Sequence, residues 1–270
     1  MDKVGASSYL RLSGTTKTGV TWSLAPVASC PVIDETCAGC YAMDGFYRTI
    51  PSAQVGRVKR LEYIKDLIQS RDLDLWIDWI AKKINRLKPL EDVPEGIATS
   101  RFRKLMESSG FCGNTRYFRW HDSGDLFNVE YARAVFEVAR RTPHTLHWVP
   151  TRMGPLVAQI VRSGDLIPHN MTIQVSCHKE GKFEESQMEA IKRVKAIQLD
   201  ARIGITYTHE GAMSRTVSKS LLSRQSLSEA HICPATIAKK KEERTCIGCR
   251  RCWGYTSTER PVVYVVHRGN

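Results

Sequence analysis

Cys30, Cys37 and Cys40 are separated by six and then two residues, close enough for three thiolates to converge on one metal centre. Three thiolates hold three irons of a cubane 4Fe-4S cluster and leave the fourth iron open to a ligand that is not protein. Zinc would need a fourth ligand from elsewhere in the chain, and core thiols without metal are the third possibility. A second group, Cys233, Cys246, Cys249 and Cys252, has gaps of twelve, two and two, with Pro234 after its first member and Trp253 after its last. Four thiolates saturate a cubane or close a tetrahedral zinc site. The run of three cysteines within seven residues suits iron better than the paired knuckles of zinc ribbons. Another assignment has Cys233 ligate the first cluster, with the last three holding an open one. Cys112 and Cys177 read as small buried core residues, although Cys177 ends a predicted strand beside His178.

Six β-like runs position these groups: Val20–Val27, Arg116–Asp122, Thr145–Thr151, Thr172–His178, Arg202–His209 and Pro261–His267. Each is rich in β-branched or aromatic residues and bounded by Gly, Pro or polar residues. Helical patterns lie between them, over Val55–Gln69, Leu73–Lys88, Val129–Arg141, Pro155–Ser163 and Ser186–Leu199. Val129, Ala132, Val135, Phe136 and Ala139, for example, make one apolar stripe. The alternation predicts parallel β-α-β units and an α/β fold, a partial (β/α)6 barrel, with a doubly wound open sheet as the other solution. Residues 1–209 would form the partial barrel with its N-terminal cysteine loop. Residues 210–256 would form a serine-rich polar loop and the cysteine-rich cluster segment, and 257–270 the final strand.

In such a barrel the ends of the strands share one pocket with the first cysteine loop. Those ends carry His121 to Asp125, Thr151 and Arg152, Cys177 and His178, Thr208 and His209, and His267 and Arg268. The turn Asp122, Ser123, Gly124, Asp125 is the most specific. Its glycine permits close backbone approach to a ligand, and its carboxylates suit an ammonium group or ribose hydroxyls. The same residues also suit a β-turn and helix N-cap leading into Asn128.

Composition limits the function classes. With 42% hydrophobic and 25% charged residues over 270, the chain reads as globular, and it has no apolar run long enough to span a membrane. Met1 to Leu12 lacks the apolar stretch of a secretory signal, which points to the cytoplasm, where nine cysteines suggest metal rather than disulfides. A net charge of +12, from 40 Lys and Arg against 28 Asp and Glu, points to an anionic partner such as nucleic acid. An inert basic surface gives the same numbers.

The three-cysteine loop after the first strand and the acidic small-residue turn after the second resemble those of the radical S-adenosylmethionine enzymes. That resemblance implies that Cys30, Cys37 and Cys40 hold a 4Fe-4S cluster whose open iron chelates S-adenosylmethionine. Ser123, Gly124 and Asp125, with Asp122, would take the role of the turn that binds the cofactor's amino group. Tyr41 falls where an aromatic adjoins the last cysteine in that family, whose first gap is three residues where this chain has six. More closely, the chain resembles the phage- and plasmid-encoded gene product 88 type. The likeness lies in Cys30, Pro31, Cys37, Cys40, Tyr41 and Ala42, in Ser123, Gly124 and Asp125, and in the cysteine-rich end running into Trp253. These likenesses imply a mobile-element origin and a radical S-adenosylmethionine-like enzyme with an auxiliary cluster and an external reductant. The other class is a non-catalytic iron–sulphur protein that binds nucleic acid or a host protein, with structural or redox-sensing clusters.

Overall fold

The computed structural model describes residues 10–15, 19–33, 40–43, 49–89, 115–177, 182–210, 231–233, 246, 251–253 and 262–266. Eight strands form one sheet: β1 (Ser13–Thr15), β2 (Gly19–Trp22), β3 (Arg116–Trp120), β4 (Thr145–Thr151), β5 (Met171–Cys177), β6 (Ile203–Glu210), β7 (His231–Ile232) and β8 (Val262–Val266). Their spatial order is β1-β2-β3-β4-β5-β6-β8-β7. Only β1 and β2 pair antiparallel; the strands from β2 onward run parallel. A strand forms in each of the six expected runs, although the first ends at Trp22 and not at Val27, because Pro26 and the turn around it leave the sheet. The two additional ones, β1 and β7, have three and two residues, too short to show a period of two.

Strand order decides between the two expected architectures. A doubly wound sheet starts in its middle and reverses direction, whereas β2 to β6 follow one another across the sheet in chain order. The chain therefore winds in one sense, and the sheet is an open mixed α/β sheet, with no closure between edge strands among the described residues.

Helices connect the parallel strands: α1 (Pro51–Ser70), α2 (Leu73–Asn85), α3 (Val129–Arg140), α4 (Gly154–Arg162) and α5 (Lys182–Ile197). Pro51 opens α1, where a fixed φ suits the first turn and a missing N–H costs nothing. Arg71 closes that helix in the left-handed region, at φ 62°. Asn128 caps α3 by accepting a 2.8 Å hydrogen bond from the Tyr131 amide.

Alternate strand residues separate two cores. Trp22, Phe118, Trp120, Val149, Ile173, Val175, Ile203 and Ile205 pack against the helices in the main core. Leu146 and Trp148 of β4 form a second, smaller core on the other face with Cys233, Cys246, Cys252 and Trp253, and Tyr117 packs against it. No described helix is long and apolar enough to cross a membrane.

Candidate functional site

The acidic turn and the first cysteine loop are docked on each other. At His121, φ of +50° ends β3 and swings the chain across the end of β2, with the His121 amide on the Trp22 carbonyl at 2.8 Å. Ser123 then exchanges two hydrogen bonds with Leu24. The Leu24 amide donates to the Ser123 carbonyl at 3.0 Å, and Ser123 Oγ donates to the Leu24 carbonyl at 2.8 Å. The Asp125 amide donates to the Ser29 carbonyl at 3.2 Å, one residue before Cys30. Gly124 lies between them at φ +81°, and a β-carbon there would overlap Ser29 Oγ and Leu24 Cβ. Glycine is therefore required twice, for the backbone angle and for the contact.

Both carboxylates of the turn have protein partners. Asp125 Oδ1 accepts from the Leu126 amide at 2.7 Å and from Thr151 Oγ1 at 2.5 Å. Its Oδ2 accepts from the Arg152 amide at 2.8 Å. Asp125 thus braces the end of β3 to the end of β4, and the helix cap that its position suggested belongs to Asn128 instead. Burial pushes its carboxyl pKa up, against the three donors, which pull it down. Asp122 forms a nearly buried ion pair with Arg119 at 2.7 Å. His121 Nε2 lies 2.9 Å from the Tyr131 hydroxyl, and burial, with a smaller push from Arg119, lowers its pKa to about 3. It is a neutral core histidine rather than a pocket residue.

Charge is concentrated at the root of the cysteine loop. Arg57 and Arg60, both 7% exposed, lie one helical turn apart on α1. Arg60 donates to the Ser23 carbonyl at 2.8 Å and stacks over Trp22 at 5.4 Å. Burial first, and the Arg57 charge second, lower the Arg60 pKa to about 10.

Cys30 and Cys40 are half-buried. The Met43 amide donates to the Cys40 carbonyl at 2.9 Å, closing the short turn Tyr41–Met43. Cys37 lies outside the described residues. In the second group Cys233, Cys246 and Cys252 share the small core with Leu146, Trp148 and Trp253; Cys249 lies outside the described residues. Trp253 fixes that segment to the sheet, its indole donating to the Phe118 carbonyl at 3.0 Å and its ring meeting Trp148 edge-on at 5.2 Å. Cys177 packs in the main core on the helix side, and Cys112, His178, His267 and Arg268 lie outside the described residues.

Two observations test whether the second group suits a metal cluster. Its donor set consists of thiols brought together from distant segments and buried among aromatic rings. In addition, the buried Trp148 indole nitrogen has no hydrogen-bond partner among the described residues. Among those residues no three of His, Cys, Asp and Glu converge as ligands of one ion. A cubane is ligated at its corners, which sets its thiolates wider apart than the ligands of a single ion. The described donors there are all thiols, the ligand type that iron–sulphur clusters take.

Neither the curated proteins nor the solved structures contain a match to this chain. The Gene product 88 profile matches residues 3–255. With nearly its whole length inside that match, the chain belongs to the Gene product 88 family.

Proposed function

We propose that this is an iron–sulphur protein of the radical S-adenosylmethionine-like kind, with an open-iron 4Fe-4S cluster on Cys30, Cys37 and Cys40. An auxiliary cluster on Cys233, Cys246, Cys249 and Cys252 completes the reading. The observation that carries it is the docking of the Ser123–Gly124–Asp125 turn on Leu24 and Ser29, directly before Cys30. Sequential strand order agrees with a partial (β/α) barrel. Across a flat sheet β4 and β7 would stand about 19 Å apart at ~4.8 Å per strand, yet Cys233, directly after β7, shares a core with Leu146 and Trp148 of β4. A sheet curled over that face accounts for this.

The cluster, when bound, supplies one electron to the sulfonium of S-adenosylmethionine, which opens hydrogen-abstraction chemistry on a substrate. The chain's own part is positioning. Ser123 and the Asp125 amide fix the loop, and the Asp125 carboxylate and Thr151 keep the turn from moving. Tyr41, beside Cys40, would adjoin the cofactor.

The test is anaerobic purification, iron and sulfide analysis, then incubation with dithionite and S-adenosylmethionine. Iron with matching sulfide and release of 5′-deoxyadenosine are expected. Zinc without sulfide would end the iron reading, and iron without cleavage would end the enzyme reading alone. One observation favours a second reading, a non-catalytic cluster protein that binds nucleic acid. Asp122 and Asp125 are already paired to Arg119 and to β4, and the net charge of +12 suits an anionic partner. Iron with salt-dependent nucleic-acid binding and no cleavage would support it.

A further inference from the structure

Four of the chain's six tryptophans gather in one row of rings, and the row ends on a tyrosine with a base beside it. Trp79, on α2, is half-buried and marks the surface end. Its ring lies 5.9 Å from Trp22, Trp22 lies 5.7 Å from Trp76, and Trp76 lies 5.6 Å from Tyr131. Trp120 joins the row 6.1 Å from Trp76. Trp22, Trp76, Trp120 and Tyr131 are all fully buried. Packing accounts for rings at this spacing, but the end of the row carries chemistry as well. The Tyr131 hydroxyl lies 2.9 Å from His121 Nε2. A buried tyrosine needs a hydrogen-bond partner of some kind, and this partner is one that also takes a proton. Burial holds His121 neutral, with its pKa lowered to about 3, and holds the Tyr131 phenol protonated. With the ring proton of His121 on Nδ1, Nε2 accepts from the hydroxyl, within the reach that proton transfer requires. Cations set a direction along the row. The Lys83 ammonium lies 5.8 Å over Trp79 and the Arg60 guanidinium 5.4 Å over Trp22, and both repel positive charge on those rings.

We propose that Tyr131 is a redox-active tyrosine. A one-electron oxidant, of the class of high-valent metal complexes, takes an electron at Trp79, and Tyr131 replaces it through Trp76 and Trp22 while its phenolic proton passes to His121 Nε2. The oxidant gains one electron. Tyr131 loses that electron and one proton, its O–H bond giving way to an N–H bond on His121, which leaves a neutral phenoxyl radical beside an imidazolium. Each tryptophan gives an electron to the ring ahead and regains one from the ring behind, so the row ends unchanged. An oxidised phenol is a far stronger acid than an imidazolium, so even a histidine of low basicity accepts this proton. The proposal goes beyond the cysteine chemistry and does not depend on what the cysteines hold.

The experiment is flash photo-oxidation of the full chain by ruthenium(III) tris-bipyridine, generated with a cobalt(III) ammine quencher, then freeze-trapping and electron paramagnetic resonance. Wild type should give a tyrosyl signal, and Tyr131→Phe should lose it. Trp76→Phe and Trp79→Phe should each lower its yield severalfold, because phenylalanine fills the place of the ring but is much harder to oxidise. His121→Asn removes the base and keeps a residue that tolerates the left-handed backbone at φ +50°; it should give a tryptophan signal in place of the tyrosyl one. A wild type without a tyrosyl signal, or the same signal in Tyr131→Phe, would overturn the proposal. Unchanged yields in both tryptophan variants would overturn the relay. Should a buried variant fail to fold, Trp79→Phe at the half-buried end decides. Iron and sulfide content plays no part in this readout, so the cluster reading stands or falls separately.

Discussion

The Asp125 carboxylate lies where the ends of β3 and β4 meet. The motif invites a ligand-binding or capping reading, but its carboxylate closes three hydrogen bonds inside the protein. Asp125→Ala would leave the buried Leu126 amide and Thr151 hydroxyl, and the half-buried Arg152 amide, without this acceptor, at about 1–3 kcal/mol for each buried donor. The variant is therefore expected to lose about 3 kcal/mol or more in urea denaturation, well above the ~1 kcal/mol of a lost helix cap. A loss near 1 kcal/mol would refute the brace. Gly124→Ala should cost a comparable amount, since the new methyl meets Ser29 and Leu24 in a backbone region that alanine resists. Thr151 stands where the strand-end pattern placed it, whereas Ser29 carries no motif of its own and only the contact reveals it.

The described cysteines of the two groups lie apart, Cys30 after β2 and Cys233, Cys246 and Cys252 under the second face of the sheet. Replacing Cys30, Cys37 and Cys40 together by alanine should therefore remove about half the iron and leave the second site filled. Complete loss, measured by iron analysis on soluble protein, would mean that the groups share one centre. How much of this was legible in advance follows from period and spacing. The runs Thr145–Thr151 and Thr172–His178 stand out because they are long and β-branched, and the strands form at Thr145–Thr151 and Met171–Cys177. The pair β1 and β7 does not stand out, being too short to carry a period. Cysteine spacing gave the two groups, and Gly124 marked the turn. The facing of Trp148 stayed hidden for a different reason. Both faces of β4 and β5 are buried, and a strand buried on both sides does not say which alternate residues face the helices. The separation of β4 into His147 and Val149 on one face and Leu146 and Trp148 on the other appears only once the helices are packed.

Folding commits two histidines to the neutral state, and this governs how the protein responds to acid. Trp120 Nε1 donates to His147 Nδ1 at 3.1 Å. Thr142 Oγ1 gives its proton to the Val138 carbonyl at 2.7 Å and so accepts from His147 Nε2–H at 2.8 Å. A second proton on His147 would face the Trp120 N–H directly. Burial lowers its pKa to about 3, and His121 is lowered to about 3 as well. In the unfolded chain both titrate near 6.5. Between about pH 6.5 and pH 3 the unfolded state binds more protons than the native one, so stability rises with pH across that window. The stability due to the neutral histidines is thus full above about pH 6.5 and is lost as pH falls toward 3, by up to about 1.4 kcal/mol per histidine per pH unit. Asp125, with its pKa raised, has the opposite sign: its contribution is full below the ordinary carboxylate range and is lost as pH rises through its folded value. One opposing group does not cancel two histidines, and protonation of other carboxylates adds positive charge to a chain already at +12, increasing self-repulsion. Urea denaturation at pH 7, 6 and 5 should give a steadily falling midpoint. His147→Phe should flatten that fall by about half even as it lowers stability at pH 7, through the loss of the Trp120 and Thr142 partners. An unchanged acid slope in the variant would show that His147 is not held neutral by the fold.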